Sequence, residues 1–317
     1  METKIKQYDI AIIGGGIVGL SAAIYAGRLD LKTVLFAKNF RGTLAKTDMV
    51  ENYPGFKKIS GLDLTSNILE HAKQYDPTMI EREVQKIRSC KTCFKISTKK
   101  ESVSAKNILF ATGTAWRKLN VLGEAKFSGK GVHTCGMCDG PFYKDKILAV
   151  VGGGDSAAKE ALLLSQYAKK VYMLIRSTLK AEPVHKERIS KDKKIKVLEG
   201  YQIKEIKGNK KVNSVTLDKE YNGSSELVLD GIFVDIGHIP LSQLAVKLGV
   251  KTNKKGEIII DKTSKTNVEG IWAAGDVADA KYKQAITGVG ESIKAIYDIY
   301  ERVTGKEVIC SCSNENL

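Results

Sequence analysis

Apolar runs that end in glycine and pass directly into longer, small-residue-rich amphipathic stretches organise this chain. "YDIAIIGGG", Tyr8 to Gly16, reads as a short buried strand meeting a turn, and "IVGLSAAIYAGRL" behind it as a helix, with "KTVLFAKN" as the next strand. The same succession returns in "KILAVVGGGDSAAKEALLL", followed by the strand that opens "KVYMLIRSTLKAEP". Two further buried strands, in "NILFATG" (Asn107 to Gly113) and "GIWAAGDV" (Gly270 to Val277), end in small-residue turns, and a helix is predicted to start near Tyr282. Strands that alternate with helices in this way predict an α/β fold.

At 317 residues and 43% hydrophobic composition the chain can bury a sizeable core and suits two domains of ordinary size. Lys and Arg exceed Asp and Glu by 51 − 36 = 15. The lysines are spread through segments such as "KDKKIK" and "KGNKK" with little aromatic interleaving, so a solvated basic surface is expected, with no nucleic-acid groove and room for an acidic protein partner. The uncharged run Ile10–Gly27 has the length of a short membrane span, but Gly14, Gly15, Gly16 and Gly19 at turn spacing argue against one. A cytoplasmic protein without membrane association is expected. Six cysteines are too few for a disulfide framework at this length, so paired cysteines are expected to be catalytic or metal-binding.

The glycine turns carry the first chemistry. Gly14-x-Gly16-x-x-Gly19 falls where a strand becomes a helix: Gly14 permits the tight turn, Gly16 admits a pyrophosphate to the backbone, and Gly19 lets the helix pack closely. Gly152-x-Gly154-x-x-Ala157 repeats the pattern, and two copies point to two nucleotides, a flavin and a nicotinamide. After the first copy the acid expected to bond a ribose hydroxyl is missing, and only Asn39 could substitute. Asp276 at a strand end is placed either to bond a ribityl or ribose hydroxyl or to cap the helix near Tyr282.

"HTCGMCDGPF", His133 to Phe142, holds Cys135 and Cys138 just before the second glycine turn. Zinc would need two more ligands at short spacing, and the pair Cys90/Cys93 lies too far upstream. A redox pair fits the spacing, because two cysteines three apart in a first helical turn bring their sulfurs within bonding range.

These segments, with "VENYPGF", "ATGTAWRKL", "IGHIP" and "YKQAITGVGE", make the chain similar, almost end to end, to the low-molecular-weight thioredoxin reductases of bacteria and archaea. The resemblance implies two Rossmann-like FAD- and NAD(P)-binding domains, the second inserted into the first: 1–116 with 246–317 for FAD, and 117–245 for NADPH and the redox pair. It implies FAD contacts at Gly14, Gly16, Gly19, Asn52, Gly113, Asp276, Gln284 and Ala285, and NADPH contacts at Gly152, Gly154, Asp155, Ser156, Ala157, Arg176 and Lys180. Cys138 corresponds to the thiol beside the flavin, Cys135 to the thiol that attacks the substrate disulfide, and Asp139 to the acid that protonates a leaving thiolate or reduced flavin. Asp139 as a helix-capping residue is compatible with that role. Electrons would pass from NADPH through FAD and the Cys135–Cys138 disulfide to thioredoxin or a thioredoxin-like protein, in a homodimer whose inserted domain rotates on linkers near Arg117–Asn120 and Pro240–Leu244.

Departures from the family pattern keep alternatives open. Arg41 and Thr43 in "RGTL" replace residues of a Gly-Gly-Gln turn near the flavin ring. The cationic motif for the 2′-phosphate of NADPH is reduced to Arg176, Ser177 and Thr178 with Lys180. NADH, ferredoxin or another reduced flavin as donor, a dithiol oxidase, and a non-catalytic flavin-binding scaffold are the competing readings. His133 is expected to face solvent, and Cys90, Cys93, Cys310 and Cys312 to be plain surface thiols.

Overall fold

The computed structural model describes residues 6–47 and 50–306, apart from the side chains of Lys46 and Cys138; Cys310 and Cys312 lie outside the described residues. The chain divides into two compact units, Met1–Ala115 with Ile239–Leu317, and Trp116–His238.

The first unit begins with β1 (Gln7–Ile13), α1 (Ile17–Arg28), β2 (Thr33–Phe36), α2 (Gly61–Lys73) and β3 (Thr78–Ile80). A hairpin of β4 (Lys86–Ser89) and β5 (Phe94–Ser97) then leads into the long strand β6 (Ser102–Phe110). The sheet runs β3-β2-β1-β6-β5-β4. Both faces of β1 are covered, which is why its sequence is almost uniformly apolar. Ala11 and Ile13 enter one core with Val34, Phe36 and Phe110. Ile10 and Ile12 enter another, against Leu20 and Ala23 of α1.

The chain leaves along β7 (Thr114–Trp116) into the second unit. There β8 (Val132–His133), a single helical turn α3 (Gly136–Asp139), β9 (Ile147–Val151), α4 (Asp155–Ser165), β10 (Lys170–Ile175), α5 (Pro183–Lys191) and β11 (Ile195–Glu199) follow in order. A three-stranded antiparallel sheet, β12 (Ile203–Gly208), β13 (Val212–Tyr221) and β14 (Ser224–Val228), precedes β15 (Gly231–Val234). The main sheet is parallel throughout, in the order β11-β10-β9-β15-β8. Its central strands are apolar on both faces, and α4 covers one of them through Ala157, Ala158, Ala161 and Leu164.

The chain returns along β16 (His238–Pro240), the pairing partner of β7. The short helix α6 (Gln243–Val246) sets Ala245 in a core of the first unit. Strand β17 (Ile271–Ala273) then pairs with residues 108–110 of β6, beyond the stretch that β5 covers. The last helix, α7 (Ala285–Thr304), packs Ala295, Ile296 and Ile299 into the core shared with α1. It starts at Ala285 rather than near Tyr282, because a capping box between Gln284 and Thr287 sets its first turn. No helix among the described residues is long and apolar enough to cross a membrane. Two nucleotide-fold units are thus observed, as the paired glycine turns predicted, with the second inserted into the first, as the family resemblance implied.

Candidate active site

In the first unit the turn after β1 is built for close approach. Gly14 has φ +127°, a conformation that side chains rarely tolerate, and a Cβ there would run into the carbonyl of Ala111. A Cβ at Gly19 would strike the carbonyl of Gly14, so the helix can lie against the turn only because that residue is glycine. Gly16, the N-cap of α1, has no side-chain cap, and the space where its Cβ would stand meets nothing closer than 3.8 Å. Uncapped N–H groups with no side chain over them form a cradle that fits the pyrophosphate of FAD.

The other positions expected to contact FAD come from distant parts of the sequence. Asn52 donates through Nδ2 to Oε1 of Gln284 at 2.9 Å, so these two expected residues meet at the start of α7 next to Ala285. Gly113 has φ +64° with open space around it. Asp276 is exposed in the 3-10 turn Gly275–Val277 and caps neither that turn nor α7. That turn is held by Glu291, whose Oε2 accepts the N–H of Gly275 at 2.8 Å; burial pushes the Glu291 carboxyl up from its ordinary value. Asn39 turns inward on its own loop, accepting from the N–H groups of Arg41 and Gly42 at 3.3 Å each.

In the second unit the turn after β9 repeats the design. Gly152 has φ +152°, and its would-be Cβ lies 2.8 Å from that of Ala157, which is itself buried. Gly154 caps α4 without a side-chain bond and faces open space, so the main chain of Asp155, Ser156 and Ala157 fits a second pyrophosphate. The carboxylate of Asp155 is occupied elsewhere: it binds Lys159 at 2.7 Å, His185 Nδ1 at 2.7 Å and the N–H of Glu182 at 3.2 Å. Burial works to raise this carboxyl, and the three partners outweigh it, leaving it below its ordinary value. Lys180 folds the following loop back, its N–H donating to the carbonyl of Gly153 at 2.6 Å. The side chains of Arg176 and Lys180 are exposed, and among the described residues neither joins an ion pair.

The segment with the cysteines lies in this unit between β8 and β9. Cys135 is half-buried and disulfide-bonded. The N–H of Gly136 donates to Oε1 of Glu160 at 2.5 Å, and a Cβ on residue 136 would stand 2.8 Å from the Glu160 carboxyl carbon. A side chain at residue 136 would therefore push the Glu160 carboxyl from this position. Burial raises the Glu160 carboxyl to about 7, with further upward pushes from the charges of Asp235 and Asp139, against the stabilising Gly136 N–H. Sequence reading missed Glu160. Its only signal is an acid on an otherwise apolar part of the helix, "AAKEALLL".

Two expectations about this segment are corrected. His133 does not face solvent: its side chain is 9% exposed, stacked on Phe233 with ring centroids 5.3 Å apart. Its Nδ1 lies 3.0 Å from Oδ2 of Asp139 and its Nε2 is 2.8 Å from the hydroxyl of Tyr143. The reason is its place at the end of β8, paired with Phe233 of β15, where the sheet face is covered. Asp139 stands at the N-cap position of the 3-10 turn Gly140–Tyr143 but makes no side-chain cap bond there; its carboxylate is directed to His133 instead.

The second cysteine pair differs. Cys90 and Cys93 are free thiols at the tip of the β4–β5 hairpin, Cys90 exposed, its N–H donating to the carbonyl of Cys93 at 2.7 Å. Burial, with the neighbouring Cys90, pushes the Cys93 thiol up from its ordinary value.

Comparison with known proteins agrees with this geometry. Residues 8–292 match the pyridine nucleotide-disulphide oxidoreductase family. A thioredoxin reductase of Listeria innocua is 38% identical over 92% of this chain and 92% of its own. Among solved structures, thioredoxin reductases of Lactococcus lactis (TM-score 0.86, 34% identity, 94% of this chain and 100% of that one) and T. acidophilum (TM-score 0.84, 33% identity, 94% and 99%) share the fold. With two nucleotide turns and a disulfide-bonded cysteine beside the second, the chain belongs to the pyridine nucleotide-disulphide oxidoreductases and, among them, to the thioredoxin reductase family.

Proposed function

We propose that this chain is a flavoprotein disulfide reductase that uses NADPH to reduce thioredoxin or a thioredoxin-like protein. The observation that carries the reading is the disulfide-bonded Cys135 at the head of a helical turn in the same unit as the second glycine turn. When bound, FAD and NADPH supply the hydride and electron-pair chemistry that amino-acid side chains lack.

The rest falls to the chain's own residues. Gly14, Gly16 and Gly19 with Asn52, Gly113, Asp276, Gln284 and Ala285 would hold FAD, and Gly152, Gly154 and the first turn of α4 would hold the pyrophosphate of NADPH. Arg176 and Lys180, with the hydroxyls of Ser177 and Thr178, would hold the 2′-phosphate. Cys138 is the partner of Cys135 in the disulfide. Once that pair is reduced, the Cys135 thiolate attacks the substrate disulfide, and Cys138 then displaces the mixed disulfide, releasing a substrate dithiol. Asp139 supplies the proton that the leaving thiolate takes up. The protein works as a homodimer in the cytoplasm, which light scattering of the purified protein and fractionation of its cells would check.

Anaerobic reduction of the flavin by NADPH and by NADH, followed by turnover with thioredoxin, tests the reading. NADPH is expected to win by about tenfold to a hundredfold in kcat/KM, and Arg176→Ala to erase that margin, since one charge-assisted contact contributes roughly 1.5–3 kcal/mol. Equal rates with NADH would refute the phosphate assignment. Failure of both nucleotides would make ferredoxin or another reduced flavin the donor.

A further inference from the structure

We propose that His133, held by Tyr143, is a positioning residue for Asp139, fixing which carboxyl oxygen exchanges a proton with the cysteine chemistry. The proposal rests on the reading of Asp139 as the acid of disulfide reduction.

Three side chains form a line. Nδ1 of His133 is 3.0 Å from Oδ2 of Asp139, and Nε2 is 2.8 Å from the Tyr143 hydroxyl. An ionised carboxylate only accepts hydrogen bonds, so Nδ1 carries the proton, and in the neutral ring Nε2 then accepts from tyrosine. Tyr143 is suited to donate, because burial, and then the charges of Asp139 and Asp230, push its hydroxyl up from the ordinary value and keep it protonated. The ring itself cannot turn freely, because it stacks on Phe233 at 27° and meets Tyr143 edge-on at 72°. Phe233 also packs edge-on against Tyr143, closing an aromatic clamp around the imidazole.

The consequence lies at Asp139. Its side chain is 35% exposed and Oδ2 is bound to the imidazole, so Oδ1 is the oxygen assigned to carry and exchange the proton. The charged groups around this line are Glu160, which feels the Asp139 charge from α4, and Asp230, whose Oδ2 accepts the N–H of Ile147. Among the described residues Asp139 has no other ion pair, and the imidazole N–H is placed to stabilise the carboxylate that remains after the proton leaves. In each turnover the O–H bond at Oδ1 breaks as the thiolate takes the proton, and solvent returns one proton to the same oxygen.

The test is a double-mutant cycle on the flavin-loaded protein, read as thioredoxin turnover, with flavin reduction by NADPH as the control half-reaction. His133→Ala should lower turnover by about tenfold to a hundredfold, the worth of a hydrogen bond to a charged group, with flavin reduction unchanged. His133→Asn, whose amide can replace the Nδ1–H donor, should recover most of the loss. In an Asp139→Asn background His133→Ala should cost nothing more. Full turnover in His133→Ala, or losses that add to those of Asp139→Asn, would overturn the proposal, as would an Asn variant as slow as the Ala variant. Wild-type turnover in Asp139→Asn would instead remove the underlying reading of Asp139, and His133 with it. Should His133→Ala lose its flavin, His133→Asn and Tyr143→Phe decide: wild-type turnover in the first with a few-fold loss in the second supports the line of three residues.

Discussion

The chain contains the same two-residue spacing between cysteines at 90–93 and at 135–138, and the two pairs sit in opposite surroundings. Cys90 and Cys93 face each other across the end of a hairpin in the first unit, both as free thiols. Among the described residues no acid from a distant part of the sequence is paired with them, and the Cys93 thiol is pushed up. Cys135 stands at the head of a helical turn in the second unit, disulfide-bonded, with Gly136 tied to Glu160 and Asp139 tied to His133. The spacing is the same in both places; among the described residues only the second has carboxyl groups, those of Glu160 and Asp139, held by Gly136 and His133 of its own segment. Two pairs of equal spacing thus differ in what the fold brings around them, and that difference is what favours the second as the reaction centre proposed above.

The largest expected effect tests the reactive side of that contrast. Cys138→Ser should lower thioredoxin turnover below about a thousandth of wild type while the flavin is still reduced by NADPH, as followed by anaerobic bleaching. Retained turnover would move the active disulfide elsewhere, and the hairpin pair would become the first candidate.

Glu160 gives the next effect, in stability. Below its ordinary value of 4.5 the carboxyl is protonated in both folded and unfolded chains, and above about pH 7 it is ionised in both. Between these limits the folded protein keeps a proton that the unfolded chain has released, so stability falls as pH rises through that window. Urea unfolding at pH 5 and pH 8 should show this loss as about 1–3 kcal/mol in wild type, and Glu160→Gln should remove most of it. An unchanged pH dependence in the variant would separate Glu160 from the cysteine turn.

Smaller differences concern reactivity at the hairpin. In the oxidised protein a maleimide probe should label Cys90 and Cys93 but not Cys135, with Cys90 ahead of Cys93 by about threefold or more because burial holds the Cys93 thiol in its protonated form. Peptide mapping after a short pulse checks this. The smallest effect is expected when Cys90, Cys93, Cys310 and Cys312 are all replaced by serine: turnover should stay within about threefold of wild type, less than about 1 kcal/mol in the barrier. A larger loss, or a stoichiometric metal in the unmodified protein, would show that the hairpin pair takes part in the chemistry.

The legible parts of this protein are the ones with short-range causes. Gly14 and Gly152 announce themselves because a φ above +120° excludes side chains, and a strand such as Tyr8–Ile13 announces itself because both faces of a parallel sheet are covered. The start of α7 was misplaced by a few residues, since its capping box joins Gln284 and Thr287, neither of which breaks the pattern of the polar stretch before it. Asn52 and Gln284 each matched a family position, but their hydrogen bond across 232 residues of sequence has no local sign.

Sequence by itself determined the two strand–turn–helix units, their order, and the cysteine pair placed just ahead of the second, because steric limits on glycine and the apolar faces of strands act within a few residues. Tertiary structure alone decided that His133 is buried and aimed at Asp139, that Asp155 spends its carboxylate on Lys159, His185 and the start of α5, and that Glu160 reaches Gly136. Those choices depend on which strands and helices lie side by side, and a carboxyl or imidazole acquires its partner and its charge only when packing removes water and brings a distant group within hydrogen-bonding distance.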